Sequence, residues 1–252
     1  MPFFVPEHSI VRNIWSKSDT IIFIFAGSAA EFALNKAVDW LYYTGKLPAD
    51  PIGRLFSTVA YARQIVFSEN EAALKAIDKI TAIHTAVETN RQQQIPDWAY
   101  RDVLFMLIHY SIATYELLER KLTEEEKAEV FDVFYRVGVR MNLKGLPANF
   151  KEWEIMRLEH LENHLQKSDF TIDLFKQYKK HLGFIRYKLL LQGQILVVPQ
   201  TVNDLLSLGK FSWLGALLPP YKLSRKVKLD WAIKSLFLPE KYKAQIKDLE
   251  RV

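Results

Sequence analysis

The sequence predicts an all-α fold in a single multi-helix domain. Glycine is scarce, with 9 residues in a chain of 252, and long side chains that suit a helix are abundant throughout. Helix-start signals recur along the chain, among them Pro51 directly after Asp50 and the capping sequence that begins at Thr123. Because no Pro/Gly/Ser-rich linker interrupts the pattern, we expect one domain over residues 1–252, with its core at about residues 20–235.

The predicted helices follow one another along most of the chain. The first is expected from about residue 18 to residue 43, ending at Thr44-Gly45. Its apolar part, residues 20–34, is shorter than the ~20 residues of a membrane span and contains Glu31, so we interpret it as the most buried helix of the core; the alternative is a membrane anchor. The further helices are expected at residues 51–67 and 71–88, separated near Ser68, then 96–120, 123–141, 149–166, and from 170 with breaks near Gly193 and Pro199, before two or three short helices. Residues 195–198 carry the one doubtful strand-like run.

The third predicted helix carries a single histidine on an apolar face. His84 lies one or two helical turns from Ile77, Ile80 and Val87, so its ring is expected to project from the same buried face of the helix. A buried imidazole needs a partner for its ring nitrogens, since an unpaired buried polar group costs about 1–3 kcal/mol. Iron is one such partner, whereas the alternative is a core histidine bonded to a backbone carbonyl or to Thr81.

The helix before it combines an arginine and a threonine. With Asp50 as N-cap and Pro51 at the first helical position, Arg54 and Thr58 fall one turn apart on the same face. A guanidinium and a hydroxyl directed into one cavity would suit a cofactor that carries carboxylates. The alternative is an interhelical salt bridge of Arg54 and a threonine bonded back to its own helix.

These residues belong to a longer pattern that resembles a known family. The pattern comprises Ala26-Gly27, Ala49-Asp50-Pro51-x-Gly53-Arg54-Leu55-x-x-Thr58-x-x-Tyr61, Ile83-His84-x-x-Val87, Trp98 with Leu104, Leu107 and Ser111, Leu122-Thr123-x-Glu125-Glu126, Gly145-Leu146-Pro147, Leu217-Leu218-Pro219 and Trp231. It is similar to the catalytic domain shared by rubber oxygenases (latex clearing proteins) and the endoplasmic-reticulum-bound oxygenase of mycophenolic acid biosynthesis. The similarity extends over about residues 20 to 235.

The resemblance implies an α-helical protein that encloses a haem b pocket and uses dioxygen to cleave or oxidise carbon–carbon double bonds. The implied substrate is an isoprenoid or another hydrophobic, lipid-like molecule. By the same resemblance, His84 matches the axial ligand of the haem iron, and Arg54 and Thr58 match the pocket-lining residues, to which we assign both cofactor binding and a catalytic role. Ser57 stands where rubber oxygenases carry a distal lysine. Glu31 and Asp39 are the candidates for an acid or base, or else ordinary solvated or paired carboxylates.

The amino-acid composition limits which metal ligands and nucleophiles the chain can supply. The chain has no cysteine, which excludes disulfides, iron–sulfur clusters, thiolate-bound haem and a cysteine nucleophile, and leaves histidine as the natural ligand for iron. The first residues lack the basic and apolar regions of a secretory signal, so the expected location is the cytoplasm.

Other histidines offer weaker signals. His160 and His164 have the i,i+4 spacing of zinc ligands but lack the adjacent glutamate of zinc proteases, and a hydrated surface helix is the expected setting. His109 is expected to be buried, either approaching the cofactor or bonded in the core, with Asp102 or Glu116 as candidates to orient its ring.

The net charge of +5 is concentrated near the end of the sequence. Residues 222–252 hold nine Lys/Arg and four Asp/Glu, interleaved with apolar residues. This segment could lie peripherally on an anionic membrane, or else form a packed terminal helix with a solvated basic face. The basic residues form no nucleic-acid recognition motif, so no nucleic-acid partner is expected.

The sequence therefore favours a haem b-dependent oxygenase with dioxygen and a hydrophobic substrate as partners. The first alternative is a non-catalytic helical protein that binds a lipid or haem in the same cavity. A helical interaction protein with no ligand is the second.

Overall fold

The computed structural model describes residues 3–45 and 49–226, and over these residues the chain forms eleven helices and no strand. The predicted all-α, single-domain fold is therefore confirmed. In chain order the helices are α1 Ile10–Trp15, α2 Ser18–Leu34, α3 Asp39–Tyr43, α4 Pro51–Phe67, α5 Asn70–Arg91, α6 Asp97–Leu118, α7 Glu124–Arg140, α8 Phe150–Asn163, α9 Asp169–Val197, α10 Gln200–Leu206 and α11 Trp213–Lys226.

Helix α2 lies at the centre of the fold. It packs mainly against α6 on one side and α9 on the other, and its buried residues occur all around the helix rather than along one stripe. Ile21, Ile24 and Leu34 are fully enclosed. The apolar run that could have been mistaken for a membrane anchor is thus a central core helix, as predicted.

The close approach between α2 and α6 depends on a glycine, Gly27, which has no side chain. A Cβ at Gly27 would lie 2.2 Å from a ring carbon of Tyr110. Since Tyr110 is fully buried, its ring has no open space to move into. Glycine at position 27 lets the tyrosine ring lie directly against the α2 backbone, which brings its hydroxyl to the side of α2 that carries Glu31.

Helices α4 and α5 form the predicted pair that carries the candidate haem ligands. Pro51 occupies the first turn of α4, and the Asp50 side chain accepts a hydrogen bond from the Gly53 backbone N–H at 3.0 Å, so the predicted N-cap is confirmed. The chain leaves α4 at Ser68 and begins α5 two residues later, and the two helices pack against each other. The sequence signals at these helix ends come from adjacent residues, which explains why the sequence was sufficient to predict where the helices begin and end.

The prediction of one continuous helix over residues 18–43 is wrong. Asn35 adopts an extended conformation (φ −64°, ψ 132°) that ends α2, and its side-chain oxygen accepts from the Ala37 backbone N–H at 2.8 Å. The neighbouring backbone pairs with a segment remote in sequence, because Lys36 N–H donates to His164 O at 2.9 Å and Gln166 N–H to Leu34 O at 2.8 Å. The helix is broken by partners that only the tertiary fold supplies.

Two further expectations need correction, and one helix was not predicted. The short helix α1, capped by the Ser9 hydroxyl, was not predicted. Helix α9 is not broken at Gly193; its one irregular residue is Gly183, at φ 73° and ψ 169°. Residues 195–198 are not a strand but the end of α9.

The end of the described chain packs onto the helical body. In α11, Arg225 donates to Glu119 at 2.5 Å, and the Tyr221 hydroxyl donates to Asp19 at 2.9 Å. These contacts fit the packed-helix alternative for the start of the basic segment, while its residues 227–252 lie outside the described residues. Among the helices that are described, none has the length and apolar character needed to cross a membrane.

Candidate functional site

His84 faces the interior side of α5, as its spacing predicted. Its ring packs edge-on against Tyr100, with the ring centroids 5.2 Å apart. The Nδ1 atom is buried and has no hydrogen-bond partner among the described residues, and the Thr81 hydroxyl instead donates to the carbonyl of Ile77 at 3.2 Å. The Thr81 hydroxyl is thus used within its own helix, and Nδ1 of His84 is left without a bond to it or to a carbonyl of the described residues.

Arg54 and Thr58 lie together on α4. The Arg54 Nη1 donates to the Ser57 hydroxyl at 3.0 Å and, more weakly, to the Thr58 hydroxyl at 3.4 Å. Thr58 donates back to the Arg54 carbonyl at 3.3 Å, so the back-bonded threonine of the alternative interpretation is present. The interhelical salt bridge of Arg54 is not present, because no described carboxylate lies within ion-pair distance of its largely buried guanidinium.

The electrostatics of this site keep the histidine neutral. Burial lowers the pKa of His84, the positive charge of Arg54 lowers it further, and Glu88 opposes the shift only in part. Burial likewise lowers the pKa of Arg54, although a guanidinium stays charged at any physiological pH. Neutral imidazole is the form that binds a metal ion.

The residues at this site fit a haem group. A neutral imidazole whose Nδ1 has no partner among the described residues could bind haem iron, and a buried guanidinium with no described carboxylate beside it could bind an anionic substituent. The structure thus brings His84 and Arg54 close enough to interact electrostatically, with Thr58 beside Arg54. That these three residues contact a cofactor stays a prediction.

A second polar cluster, which the sequence did not reveal as a unit, lies inside the bundle between α2, α6 and α8. We call it the buried polar network; it comprises Glu31, Asp102, Tyr110, Arg157, His160 and His164. At its centre Glu31 is fully enclosed and accepts hydrogen bonds from both terminal nitrogens of Arg157, from Tyr110 at 2.8 Å and from His160 at 2.9 Å. Burial alone would raise the pKa of Glu31, but the charge and hydrogen bonds of Arg157 outweigh it and hold the pKa well below its usual range.

The other half of the network is built around Asp102. Its Oδ1 lies 2.7 Å from His160 Nδ1, both of its oxygens lie 3.1 Å from His164 Nδ1, and Asn35 donates to its Oδ2 at 3.1 Å. Burial opposes protonation of His160, yet its contacts with Asp102 and Glu31 raise its pKa overall. The imidazole of His160 therefore joins two buried carboxylates.

Several expectations about these residues are wrong. Helix α8 does lie at the surface, but His160 is on its buried side with a side chain that is 1% exposed, and the side chain of His164 is 28% exposed. Asp102 contacts His160 and His164 rather than orienting His109. Glu116, the other candidate to orient His109, pairs with Lys121 at 2.7 Å.

His109 packs against the neighbouring Tyr110. Its ring lies edge-on to that of Tyr110 at a centroid distance of 5.0 Å and close to the backbone of Val197. Burial lowers the pKa of His109 to about 3, so its ring is neutral. The core alternative stated from the sequence accounts for these contacts.

The two candidate acids or bases are both paired. Glu31 is held by Arg157, and Asp39 accepts from Arg91 at 2.6 Å. A carboxylate whose pKa is lowered far below neutrality is a poor proton acceptor at neutral pH, because general bases work best with a pKa near the working pH. Glu31 therefore has the contacts of a structural anion.

Arg157 was missed altogether from the sequence, although a signal was present. It lies three residues before His160 and four before Leu161, on the side of α8 that is buried. Glu31 within an apolar run needs a cation, and an arginine on the apolar side of another helix is the natural candidate. The sequence does not show which helix supplies it.

Fold and sites together define an all-α protein with one histidine–arginine site and one buried ionic network. A family model described as "ER-bound oxygenase mpaB/B'/Rubber oxygenase, catalytic domain" matches residues 15–232. The chain therefore belongs to this family of oxygenase catalytic domains, which confirms the resemblance seen in the sequence. Neither a comparison with curated proteins nor one with solved structures finds a significant match.

Proposed function

We propose that this protein is a haem b-dependent oxygenase that acts on a double bond of an isoprenoid or another lipid-like substrate. Membership of an oxygenase family supports the reaction class and the involvement of dioxygen. The observation that supports this cofactor is the buried Nδ1 of His84, which has no hydrogen-bond partner among the described residues. It lies near the Arg54 guanidinium, which has no described carboxylate within ion-pair distance. An unpaired buried nitrogen costs about 1–3 kcal/mol, and a metal ion that binds this nitrogen would remove that cost.

In this proposal each residue has a distinct task. His84 would hold the haem iron, and its neutral form is maintained by burial and by Arg54. Arg54 would bind an anionic group of the cofactor, and Thr58, which contacts Arg54, would form part of the pocket wall. Bound haem iron would supply the oxygen chemistry, while the protein binds and orients the substrate and excludes water.

The first prediction concerns the ligand histidine. Protein purified after expression with ample haem is expected to show a Soret band, and His84→Ala is expected to lose it because no other side chain replaces the imidazole. His181→Ala, which removes a histidine from α9 rather than from the α4–α5 pair, is the matched control and should keep the band. A wild-type protein without a Soret band, or a His84→Ala protein that retains it, would overturn the proposal.

Turnover separates an enzyme from a carrier. The proposal expects oxygen consumption by the haem-loaded protein with a polyunsaturated isoprenoid, together with carbonyl products, and neither with His84→Ala. Stoichiometric binding of haem or lipid without oxygen uptake would instead assign the non-catalytic carrier. Circular dichroism of each variant establishes that a loss of activity is not a loss of fold.

A further inference from the structure

We propose that Asp102, His160 and His164 bind a divalent transition-metal cation, such as Zn²⁺ or Fe²⁺, at a site separate from His84. The three residues come from two helices: Asp102 lies on α6, while His160 lies on α8 and His164 directly follows it. One ligand atom from each lies within 4.8 Å of the other two. Two imidazoles and one carboxylate are a common ligand set for such cations.

The distances between the ligand atoms fit a cation. Both histidines present Nδ1, and these atoms lie 3.4 Å apart and 2.7 to 3.1 Å from the oxygens of Asp102. With metal–ligand bonds of about 2.0–2.2 Å, neighbouring ligand atoms around an ion are roughly 3 Å apart. A cation could therefore take the place of the protons shared in this cluster with little rearrangement.

The surrounding residues hold the ligands as they are held in metal sites. His160 contacts Glu31 through Nε2 at 2.9 Å, an arrangement in which a carboxylate orients the imidazole that binds the metal. Asn35 donates to Oδ2 of Asp102, and the ring of His164 packs on Trp98 with the centroids 4.5 Å apart. All three ligands are thus positioned before a cation arrives.

Charge favours a cation at this place. Within the buried network Glu31 is paired with Arg157, whereas Asp102 has no lysine or arginine within ion-pair distance among the described residues. Its partners are the two histidines and Asn35. A divalent cation would compensate the buried carboxylate directly.

The site also has a route to solvent. His160 and Asp102 are enclosed, while the side chain of His164 is 28% exposed, so one side of the cluster reaches the surface. Three protein ligands leave at least one coordination position for water or another oxygen ligand. The expected ion is therefore exchangeable and can be removed with a chelator.

The second prediction is tested with Co²⁺ and Zn²⁺ as probes. Chelator-treated protein is expected to bind one equivalent of Co²⁺ with ligand-field absorption, to release it to Zn²⁺, and to unfold at a higher temperature with Zn²⁺ bound. His164→Ala should weaken Zn²⁺ binding by about 100-fold or more, since it removes one of three ligands while sparing the enclosed residues. His181→Ala is the matched control and should bind as the wild type does.

Two outcomes would overturn this proposal. One is a wild-type protein that binds no more Zn²⁺ than His164→Ala does. The other is a Co²⁺ spectrum that is lost in His84→Ala and retained in His164→Ala, which would place the ion at the α4–α5 pair. The metal-site proposal predicts that His84→Ala still binds one equivalent of Zn²⁺. A failure of the metal-site proposal is therefore distinguishable from a failure of the haem assignment.

Discussion

Arg157 and Glu31 form an ion pair with almost no contact with water. Their side chains are 4% and 0% exposed, and Tyr110 and His160 bind the same carboxylate. Removing two charges from water costs several kcal/mol each, and this cost is recovered only if each charge keeps its partners. The pair therefore fixes which face of α8 meets α2, and loss of either partner would leave a buried charge uncompensated.

The third prediction is argued from that pair. Arg157→Met is expected to lower the free energy of unfolding by about 3–5 kcal/mol, because it leaves the Glu31 carboxylate buried without its cation. Arg140→Met is the matched control; its pair with Asp78 is about half exposed on both sides, so a loss below about 1 kcal/mol is expected.

The same prediction has a double variant that isolates the charge. Glu31→Gln combined with Arg157→Met should be less destabilised than the sum of the two single variants, as measured by urea unfolding. Additive losses, or an Arg157→Met protein as stable as Arg140→Met, would contradict the role assigned to the pair.

At the scale of single residues, the sequence was informative where a pattern was local. The spacing of Ile77, Ile80 and Val87 was enough to predict that His84 faces inward. It could not show that His160 is buried, because its environment is made by Glu31 and Asp102 on two other helices. The apolar residues Trp153 and Leu161 mark the buried side of α8, but they do not show which carboxylates that side meets.

At the scale of helices, the boundaries were predictable where the capping residues are adjacent. Thr123 accepts from the Glu126 backbone N–H and Glu126 from that of Thr123, and the helix begins there as expected. The break at Asn35 was missed because it depends on backbone hydrogen bonds to residues 164–166. Helix breaks caused by long-range pairing have no local signature.

The fourth prediction concerns the contact between α2 and α6. Gly27→Ala is expected to lower the free energy of unfolding by about 1–3 kcal/mol, because the new methyl group would overlap the enclosed ring of Tyr110. Gly193→Ala is the matched control within α9: its nearest neighbour would be Phe23 at 3.6 Å, an ordinary contact, so a stability unchanged or raised by up to about 1 kcal/mol is expected.

Thermal unfolding of the two glycine variants measures this difference. A Gly27→Ala protein at least as stable as Gly193→Ala would show that α2 and α6 can separate without cost. The prediction that glycine is needed for their close packing would then be wrong.

At the scale of the whole molecule, charge is distributed unevenly. The excess of positive charge in residues 222–252 equals the net charge of the whole chain, +5. The described part of this segment packs on the body through Arg225, so any contact with a membrane depends on the residues beyond it. Peripheral membrane binding therefore stays a prediction, as does the cytoplasmic location.

The fifth prediction tests that binding with intact protein. Co-sedimentation with phosphatidylserine-containing vesicles is expected to fall at least tenfold when four basic residues are neutralised, since each Lys near an anionic surface contributes about 1 kcal/mol. The four changes to Gln are at Lys228, Lys234, Lys241 and Lys243. The control carries four changes to Gln at exposed positions elsewhere, Lys151, Lys176, Lys180 and Lys210.

Vesicles of phosphatidylcholine alone should bind neither protein. Equal binding of the wild type and of both quadruple variants to the anionic vesicles would assign the segment no role at the membrane.

The central place of α2 has a consequence during protein synthesis. This helix emerges from the ribosome well before α9, which covers one of its sides and follows six further helices. Until then the apolar side that α9 covers has no partner within the nascent chain, and such exposed surfaces associate readily with other chains. We therefore expect the growing polypeptide to require chaperones, and slowing translation before residue 169 to increase the amount that aggregates.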